Sequence, residues 1–410
     1  MIDKLKILSD EFIRHAENKF KRYFFYENKL SNRFSIIKGG RGIGKTVFIL
    51  QFIIENFKDG ERDNVIYIPA DHFLLGNLSL YEAAEEFYKN GGELICFDEI
   101  HKYANWAQEL KSIYDTFPKL KIIVTGSSIL EIRKGAFDLS RRAVNYDMTG
   151  MSLREFIELH YEIKFSAFNL QDITLQHKEI AENIFKVLEN KNLKILKIFK
   201  EYLNYGYYPF YKEYNDTHLY MRVLEQNIHT TLESDLIAVH PTINGISIKK
   251  IKKLLSIIST SVPFTPDLKN LKTLTEVGDE RTLKTYLKYL EDAGTIITLS
   301  GGGRGIREME KPEKIYLNNT NLIYALRNFR EPETGNIRET FFINIVSKDH
   351  NIKPVKSGDF LVDNQYTFEI GGKSKDFNQI KGIENSFLAI DDIECGVNNK
   401  IPLWLFGFLY

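Results

Sequence analysis

The chain has 410 residues, of which 43% are hydrophobic and 27% charged, and its 55 basic residues balance its 55 acidic ones. This composition is ordinary for a globular protein of roughly two to four domains. A net charge of zero provides no global field that attracts nucleic acid, so any such binding has to come from a local patch.

The two cysteines, Cys96 and Cys395, are too few for a disulfide framework, and no Cys/His spacing typical of a metal site occurs. We therefore expect a reducing, cytoplasmic compartment. The sequence is charged from Asp3 onward, which argues against a signal peptide, and no apolar run reaches the length of a membrane span. The apolar last ten residues, Ile401 to Tyr410, predict a buried final strand.

Helical periodicity marks the first 30 residues, and after them short apolar runs alternate with helical patterns. The predicted strands are Phe34–Lys38, Asn64–Pro69, Glu93–Phe97 and Lys121–Thr125, and the predicted helices are roughly 45–57, 78–89, 104–116 and 127–133. This alternation predicts an α/β fold in which a parallel sheet carries helices on both faces. Nearly continuous apolar strands suit a sheet that is buried on both sides.

A glycine-rich segment between the first strand and the next helix fits the P-loop pattern G-x-x-x-x-G-K-[ST]. Glycines let the backbone approach a phosphate closely, and the N–H groups of the loop then point at the anion. We expect Lys45 to contact the β- and γ-phosphates of ATP and the Thr46 hydroxyl to ligate Mg²⁺. The expected nucleotide-binding residues are Gly39, Gly40, Arg41, Gly42, Ile43, Gly44, Lys45, Thr46 and Val47.

The third predicted strand runs directly into Asp98 and Glu99, which is a Walker B pattern. Asp98 can hold the Mg²⁺ shell, and Glu99 lies where a catalytic carboxylate would polarise the attacking water. The fourth strand ends at Thr125, a sensor position beside the γ-phosphate. Ser127 and Ser128 either share that role or cap the following helix.

Several cationic side chains follow these motifs. An arginine that reaches a γ-phosphate stabilises the charge that develops on it, in cis or in trans, and the candidates are Arg133, Arg141 and Arg142. A solvated basic turn is an equally good interpretation of each. His101 is interpreted as a hydrogen-bonded residue at a helix start rather than as a catalyst.

The segments GGRGIGKT, CFDEIHKYANWAQELK, IIVTGSS and SRRAVNYDMTGMSLREF resemble those of prokaryotic AAA-type P-loop ATPases that carry an extra C-terminal domain of uncharacterised function. The resemblance covers most of the chain and is most specific before residue 160. It implies nucleotide binding and hydrolysis, with oligomerisation as a further expectation, but no particular substrate. In that family a glycine precedes the arginine after the sensor strand, whereas here Ser140 precedes Arg141 and Arg142. We favour Arg142 as the arginine finger.

The middle of the chain predicts a helical region over residues 161–245 and a winged-helix domain over residues 246–330, where helical segments precede two strands around a glycine-rich turn. The recognition helix would be Glu280–Asp292. Basic residues on this helix and on the wing predict contacts with double-stranded DNA, and they are Arg281, Lys284, Lys288 and Arg304. The alternative is a solvated helix face in a domain that contacts a protein partner or another copy of the chain.

Residues 331–410 predict a small α+β domain that contains a hairpin. A turn centred on Asp363 and Asn364 would place Asp359 opposite Glu369, and Glu339 on the preceding helix could supply a third acid. Such acids with a nearby lysine are typical of restriction-endonuclease-like nucleases, in which a metal activates water. The C-terminal domain of the resembled family is likewise restriction-like and often departs from the catalytic pattern.

The lysine of that nuclease pattern is displaced in this chain. The usual spacing is Glu-x-Lys, but Gly371 occupies the lysine position after Glu369. Lys373 lies on the same face of a regular strand but further along it, unless a β-bulge at the glycines brings it back.

Three functions remain open from the sequence. The first is hydrolysis of Mg-ATP coupled to DNA or to a protein partner. The second is a nucleotide-switched DNA-binding module with little turnover, and the third is an ATP-gated nuclease.

The predicted domains are an ATPase domain over 1–160, a helical region over 161–245, a winged helix over 246–330 and the restriction-like domain over 331–410.

Overall fold

The computed structural model describes residues 2–16, 19–76, 78–126, 139–240, 242–260, 266–301, 303–304, 312–326 and 332–410. The chain divides into two compact units. The first unit consists of Met1–Gly150 and Glu233–Thr242, and the second consists of Met151–Leu232 and Ile243–Tyr410. The four predicted domains are a finer division and stay a prediction, although residues 151–160 fall in the second unit.

The secondary structure follows the predicted alternation. The helices are α1 Ile2–His15, α2 Tyr23–Glu27, α3 Lys45–Asn56, α4 Leu80–Lys89, α5 Trp106–Thr116, α6 Leu153–Tyr161, α7 Leu170–Glu189, α8 Ile195–Tyr205, α9 Thr217–Thr230, α10 Leu236–Val239, α11 Gly245–Ser259, α12 Leu268–Thr275, α13 Glu280–Asp292, α14 Thr320–Leu326 and α15 Thr334–Val346. None of the helices in the described ranges has the length and apolar character needed to cross a bilayer.

The strands of the described residues form three sheets. They are β1 Phe34–Lys38, β2 Val65–Pro69, β3 Leu94–Asp98, β4 Lys121–Gly126, β5 Val144–Asp147, β6 Ile296–Ser300, β7 Gly303–Arg304, β8 Lys314–Leu317, β9 Ile352–Pro354, β10 Phe360–Val362, β11 Tyr366–Gly371, β12 Ser386–Ile390 and β13 Lys400–Pro402. The four strands predicted for the first unit agree with β1 to β4 within one residue at each end.

The first unit contains a parallel sheet of five strands in the order β2-β3-β4-β1-β5, which confirms the predicted α/β class. Every residue of β3 is buried, as its apolar sequence predicts. Strand β5 was not predicted because its sequence, Val144–Asp147, has no apolar run, and three of its four residues are exposed at the sheet edge. The helix predicted over 127–133 lies outside the described residues.

The strand order decides where the functional side chains meet. Because β4 lies between β3 and β1 and all three are parallel, the loops after their carboxyl ends are neighbours. Ligands of open α/β sheets bind at this edge. The P-loop follows β1, and the Walker B acids end β3.

In the second unit, helices α11, α12 and α13 are followed by the antiparallel sheet β7-β6-β8, which is the element order that the winged-helix pattern predicts. Leu283, Leu287 and Leu290 on α13 are buried, as expected for the face opposite the basic residues. The assignment of a DNA-binding domain itself stays a prediction.

The C-terminal part of the second unit is a mixed sheet in the order β13-β12-β11-β10-β9. Its hairpin turns at Asp363 and Asn364, whose φ angles are 52° and 57°, so the predicted turn is confirmed. The predicted final strand is wrong in part, because β13 ends at Pro402 and a buried 3₁₀ helix, Leu403–Phe408, follows. Proline lacks the N–H that would continue the strand pairing, and its fixed φ suits the start of a helix.

Candidate functional site

The P-loop wraps around the start of α3 at the carboxyl end of the parallel sheet. Gly44 precedes the helix with a φ of 101°, which favours glycine, and a Cβ added to Gly39 would lie 2.3 Å from the carbonyl oxygen of Met148. The buried Lys45 ammonium donates hydrogen bonds to the carbonyls of Gly39 and Gly40, both at 2.9 Å. The loop therefore combines a buried cation with a helix N-terminus, which is the arrangement that binds phosphate.

Asp98 joins the predicted motifs through hydrogen bonds. The Thr46 hydroxyl donates to its Oδ2 at 2.6 Å, and the Tyr67 hydroxyl donates to the same oxygen at 2.7 Å. Its Oδ1 accepts from the Thr125 hydroxyl and, at 3.1 Å, from the backbone N–H of Glu99. Residues predicted separately from the P-loop, the Walker B strand and the sensor strand thus contact one carboxylate.

Tyr67 is a member of this site that sequence reasoning missed. It lies on β2, and its register beside β3 places it near Asp98. Burial, together with the charge of Asp98, raises the pKa of Tyr67, so its hydroxyl remains a donor. Nothing in the local sequence shows which strand lies beside β3.

The oxygen donors of Thr46 and Asp98 suit Mg²⁺, a hard cation that prefers oxygen ligands. Mg²⁺ at nucleotide sites usually takes one or two protein ligands and completes its shell with phosphates and water. Among the residues that the structure describes, no group of three or more His, Cys, Asp or Glu side chains could hold a metal ion by itself. The donor set therefore fits Mg²⁺ bound together with a nucleotide.

Glu99 follows β3 in the left-handed conformation, with a φ of 52°. Its side chain lies between the ammonium of Lys45 and the imidazole of His101. Its Oε1 lies 3.8 Å from Lys45 Nζ, and its Oε2 lies 3.5 Å from His101 Nε2. Burial lowers the pKa of Lys45, against the opposing effects of Glu99 and Asp98. Burial also lowers the pKa of His101, so the imidazole is neutral at neutral pH.

A third carboxylate of this site, Asp235, also lies in the first unit and was not predicted. It is almost fully buried, and its two oxygens accept from Arg41 of the P-loop, from Nε at 2.9 Å and from Nη2 at 2.6 Å. His101 Nε2 lies 3.9 Å from Asp235 Oδ1. Asp235 is remote in sequence from the P-loop, so no local pattern could have revealed the contact.

Arg142, the favoured candidate for an arginine finger in cis or in trans, lies away from the P-loop of its own chain. Arg142 precedes β5, whose start pairs with the start of β1, so it lies at the amino edge of the sheet. There its guanidinium forms a two-pronged ion pair with Asp115, at 2.8 and 2.9 Å. The P-loop follows the opposite edge, roughly 15 Å away along the strands. Arg141 is exposed, and Ser127, Ser128 and Arg133 lie outside the described residues.

The basic residues predicted to contact DNA lie on α13 and on the following hairpin. Arg281 is exposed, whereas Lys288 Nζ lies 3.0 Å from Asp292 and 3.3 Å from Glu291. Lys284 is half-buried, and the side chain of Arg304 is outside the described part of the structure. Internal ion pairs therefore already neutralise part of this face.

The acids predicted for a nuclease site lie close together in the C-terminal part of the second unit. Phe360 pairs with Phe368, so Asp359 stands opposite Glu369 as predicted. Lys314 Nζ lies 3.5 Å from Glu339 and 3.7 Å from Asp359. A lysine thus already interacts with two of the three acids.

The lysine predicted for this cluster was the wrong one. Lys373 is exposed, and it is Lys375 whose ammonium contacts the buried carboxylate of Glu369. A Cβ on Gly371 would lie 2.6 Å from the Cβ and Cγ of Lys375, so the glycine makes room for the lysine stem to cross the strand. The acids therefore have ammonium partners, and this region does not form the predicted Glu-x-Lys arrangement.

Two family models match the chain. Residues 31–157 match an AAA domain, and residues 196–333 match a domain of unknown function, DUF8612. The first match contains the P-loop, the Walker B acids and Thr125. This part of the chain is similar to AAA domains.

Two uncharacterized proteins of Methanocaldococcus jannaschii, MJ1637 and MJ1544, are 25% and 26% identical to this chain over 293 and 328 residues. The alignments cover 68% and 73% of this chain but 59% and 65% of those relatives. The chain therefore spans less than two thirds of the length of either relative.

Two solved protein structures are distantly similar to this chain. The Walker-type ATPase PABY2304 of Pyrococcus abyssi has a TM-score of 0.41 at 14% identity, over 77% of this chain and 99% of that one. The ORC1 protein of Aeropyrum pernix, solved in complex with DNA, has a TM-score of 0.31 at 14% identity, over 80% of this chain and 91% of that one. At these values, the likeness transfers no activity or partner to this chain.

Replacement of the P-loop lysine tests the phosphate site. We expect Lys45→Ala to weaken the binding of a fluorescent ATP analogue by at least about 100-fold, because the variant cannot form the charge-assisted hydrogen bonds to phosphate. The control Lys89→Ala changes an exposed lysine on α4 and should bind as the wild type does. Wild-type affinity in Lys45→Ala would show that the nucleotide binds elsewhere.

Replacement of a clustered acid tests the charge balance of the C-terminal region. Burial, reinforced by the charge of Asp359, raises the pKa of Glu339. The folded state thus binds this proton more tightly than the unfolded state, and stability falls as the pH rises from the ordinary glutamate pKa to the raised one. Glu339→Gln should therefore be more stable than the wild type at about pH 8, and the difference should vanish near pH 4.

Urea unfolding followed by the fluorescence of the buried Trp404, in the same unit, measures this difference. The exposed Glu384→Gln serves as the control and should show no pH-dependent gain. A Glu339→Gln variant that is less stable than the wild type at the higher pH would contradict the raised pKa of Glu339.

Proposed function

We propose that this chain binds and hydrolyses Mg-ATP at the carboxyl edge of the parallel sheet. The observation that carries the proposal is the carboxylate of Asp98, which accepts hydrogen bonds from both Thr46 and Thr125 while Glu99 lies 3.8 Å from Lys45. P-loop hydrolases need this set: a lysine for phosphates, oxygen donors for the metal and a carboxylate for water. The AAA-domain match favours ATP as the nucleotide.

Each side chain has a distinct part in this mechanism. Lys45 leaves the carbonyls of Gly39 and Gly40 for the phosphate oxygens, which are stronger acceptors because they carry charge. Thr46 and Asp98 would hold the shell of a bound Mg²⁺, which would supply positive charge against the negative charge that develops on the phosphates. Glu99, released from Lys45, orients the attacking water and accepts its proton.

Under this proposal, Arg142 requires a second copy of the chain to serve as an arginine finger. Arg142 is held by Asp115 at the amino edge of the sheet, so it can act only on the nucleotide of a neighbouring subunit. The proposal therefore includes a homo-oligomer in which hydrolysis rises with protein concentration. Arginine fingers supplied in trans act in this way.

Glu99→Gln tests hydrolysis directly. We expect steady-state ATP turnover to fall by about 100-fold or more, the usual size of a general-base contribution, while ATP still binds. Glu85→Gln on α4 alters a partly exposed glutamate and serves as the matched control. Turnover that persists in Glu99→Gln would remove Glu99 from the mechanism.

A second candidate function is nucleotide-dependent binding of double-stranded DNA through α13. The exposed Arg281 favours it, whereas the ion pairs of Lys288 with Glu291 and Asp292 oppose it. A protein surface is the alternative partner of this face. The two partners differ in salt dependence, because binding to phosphates releases counterions.

Charge reversal distinguishes these partners. The double variant Arg281→Glu/Lys284→Glu should weaken duplex binding and reduce the salt slope by about one for each phosphate that the variant no longer binds. The control Lys178→Glu/Lys186→Glu places the same charge change on α7 and should bind DNA as the wild type does. Unchanged duplex binding and salt slope in the α13 variant would assign this face to a protein partner.

A further inference from the structure

The ion pair between Arg41 and Asp235 lies beside the catalytic carboxylate proposed above. Asp235 has 4% of its side chain exposed, and it receives both prongs of the Arg41 guanidinium. Such bidentate pairs fix the position of an arginine more tightly than a single contact does. Asp235 therefore decides where the only charged side chain among Gly39–Ile43 points.

Glu99 and Asp235 lie among the cations of this part of the first unit. Glu99 lies 3.8 Å from Lys45, and Asp235 binds Arg41. The charges of Asp235, Glu99 and Asp71 all act on the Arg41 guanidinium, although burial has the largest effect on its pKa. His101 Nε2 lies 3.5 Å from Glu99 Oε2 and 3.9 Å from Asp235 Oδ1, so Glu99 is a near neighbour of the carboxylate that holds Arg41 and is the alternative partner of that guanidinium.

Asp71 is already occupied by another cation. Lys102 Nζ donates to Asp71 Oδ2 at 2.5 Å, and both side chains are partly exposed. A guanidinium released from Asp235 would therefore have Glu99 as the carboxylate left to pair with. A carboxylate held by arginine is a weaker base and cannot orient water freely.

We propose that Asp235 is a positioning residue for hydrolysis: it holds the Arg41 guanidinium away from Glu99 and so keeps that carboxylate free to act on water. The inference rests on the proposed ATPase function. The ion pair between Asp235 and Arg41 matters most when Lys45 has moved to the phosphates, because Arg41 is then the principal cation that competes for Glu99. Asp235 touches neither the phosphates nor the water in this account and acts only through Arg41.

Asp235 lies in a short segment of the first unit that interrupts the second unit in the sequence. Residues 233–242 belong to the first unit, whereas Met151–Leu232 before them and Ile243–Tyr410 after them belong to the second unit. The partner of a P-loop arginine is therefore supplied by a short segment that is covalently continuous, at both ends, with the other unit. A shift of this segment would free Arg41 without any change in the P-loop itself.

The test compares wild type, Asp235→Asn, Asp235→Glu and the double variant Arg41→Gln/Asp235→Asn. For each protein, the kcat and KM of ATP turnover, the affinity for a fluorescent ATP analogue and the melting temperature are measured. Asp235→Asn should lower kcat by about tenfold to 100-fold, because the general base is captured, while ATP affinity stays at the wild-type value. Asp235→Glu should restore part of the activity, since it keeps the carboxylate.

The comparison of the double variant with Asp235→Asn is decisive. The double variant lacks the released cation, so its kcat should exceed that of Asp235→Asn. Wild-type kcat in Asp235→Asn, or a double variant as slow as the single one, would overturn the inference while the ATPase function stands. Parallel decreases of kcat, ATP affinity and melting temperature without recovery would assign Asp235 a structural role. A wild type without turnover would overturn the proposed function, and the inference with it.

Discussion

The carboxylate of Asp98 is the group on which the nucleotide site depends. Its two oxygens accept hydrogen bonds from the P-loop helix through Thr46, from β2 through Tyr67, from β4 through Thr125 and from the backbone of Glu99. A buried carboxylate needs such partners, and each hydrogen bond to a charged group stabilises by about 1.5–3 kcal/mol. The parallel strand order is what brings three separate segments to this residue.

The two units distribute their buried charges differently. In the first unit, Lys45 donates mainly to backbone carbonyls, which are neutral acceptors that phosphate oxygens can replace. In the second unit, the acids near the hairpin already contact the ammonium groups of Lys314 and Lys375. The first arrangement leaves a cation available for an anionic ligand, whereas the second satisfies its charges internally. This difference is the physical reason for assigning the chemistry to the first unit.

Features set by neighbouring residues could be predicted from the sequence, and features set by distant pairing could not. The P-loop, Asp98 with Glu99 and the C-terminal hairpin were predicted because glycine conformation, strand hydrophobicity and turn residues act locally. Tyr67 and Asp235 were missed, since their contacts depend on strand order and on the return of residues 233–242 to the first unit. The position of Arg142 was missed for a related reason: the polar edge strand β5, which fixes Arg142 at the amino edge, gives no periodic signal.

The most direct test of the account is Mn²⁺ binding, followed by electron paramagnetic resonance, in the presence and absence of a non-hydrolysable ATP analogue. Mn²⁺ prefers the same oxygen ligands as Mg²⁺. The account predicts tight Mn²⁺ binding to the wild type only with the nucleotide, and no such binding in Asp98→Asn and Thr46→Ala. Equal nucleotide-dependent Mn²⁺ binding by the wild type and Asp98→Asn would contradict the placement of the metal and nucleotide at this carboxylate.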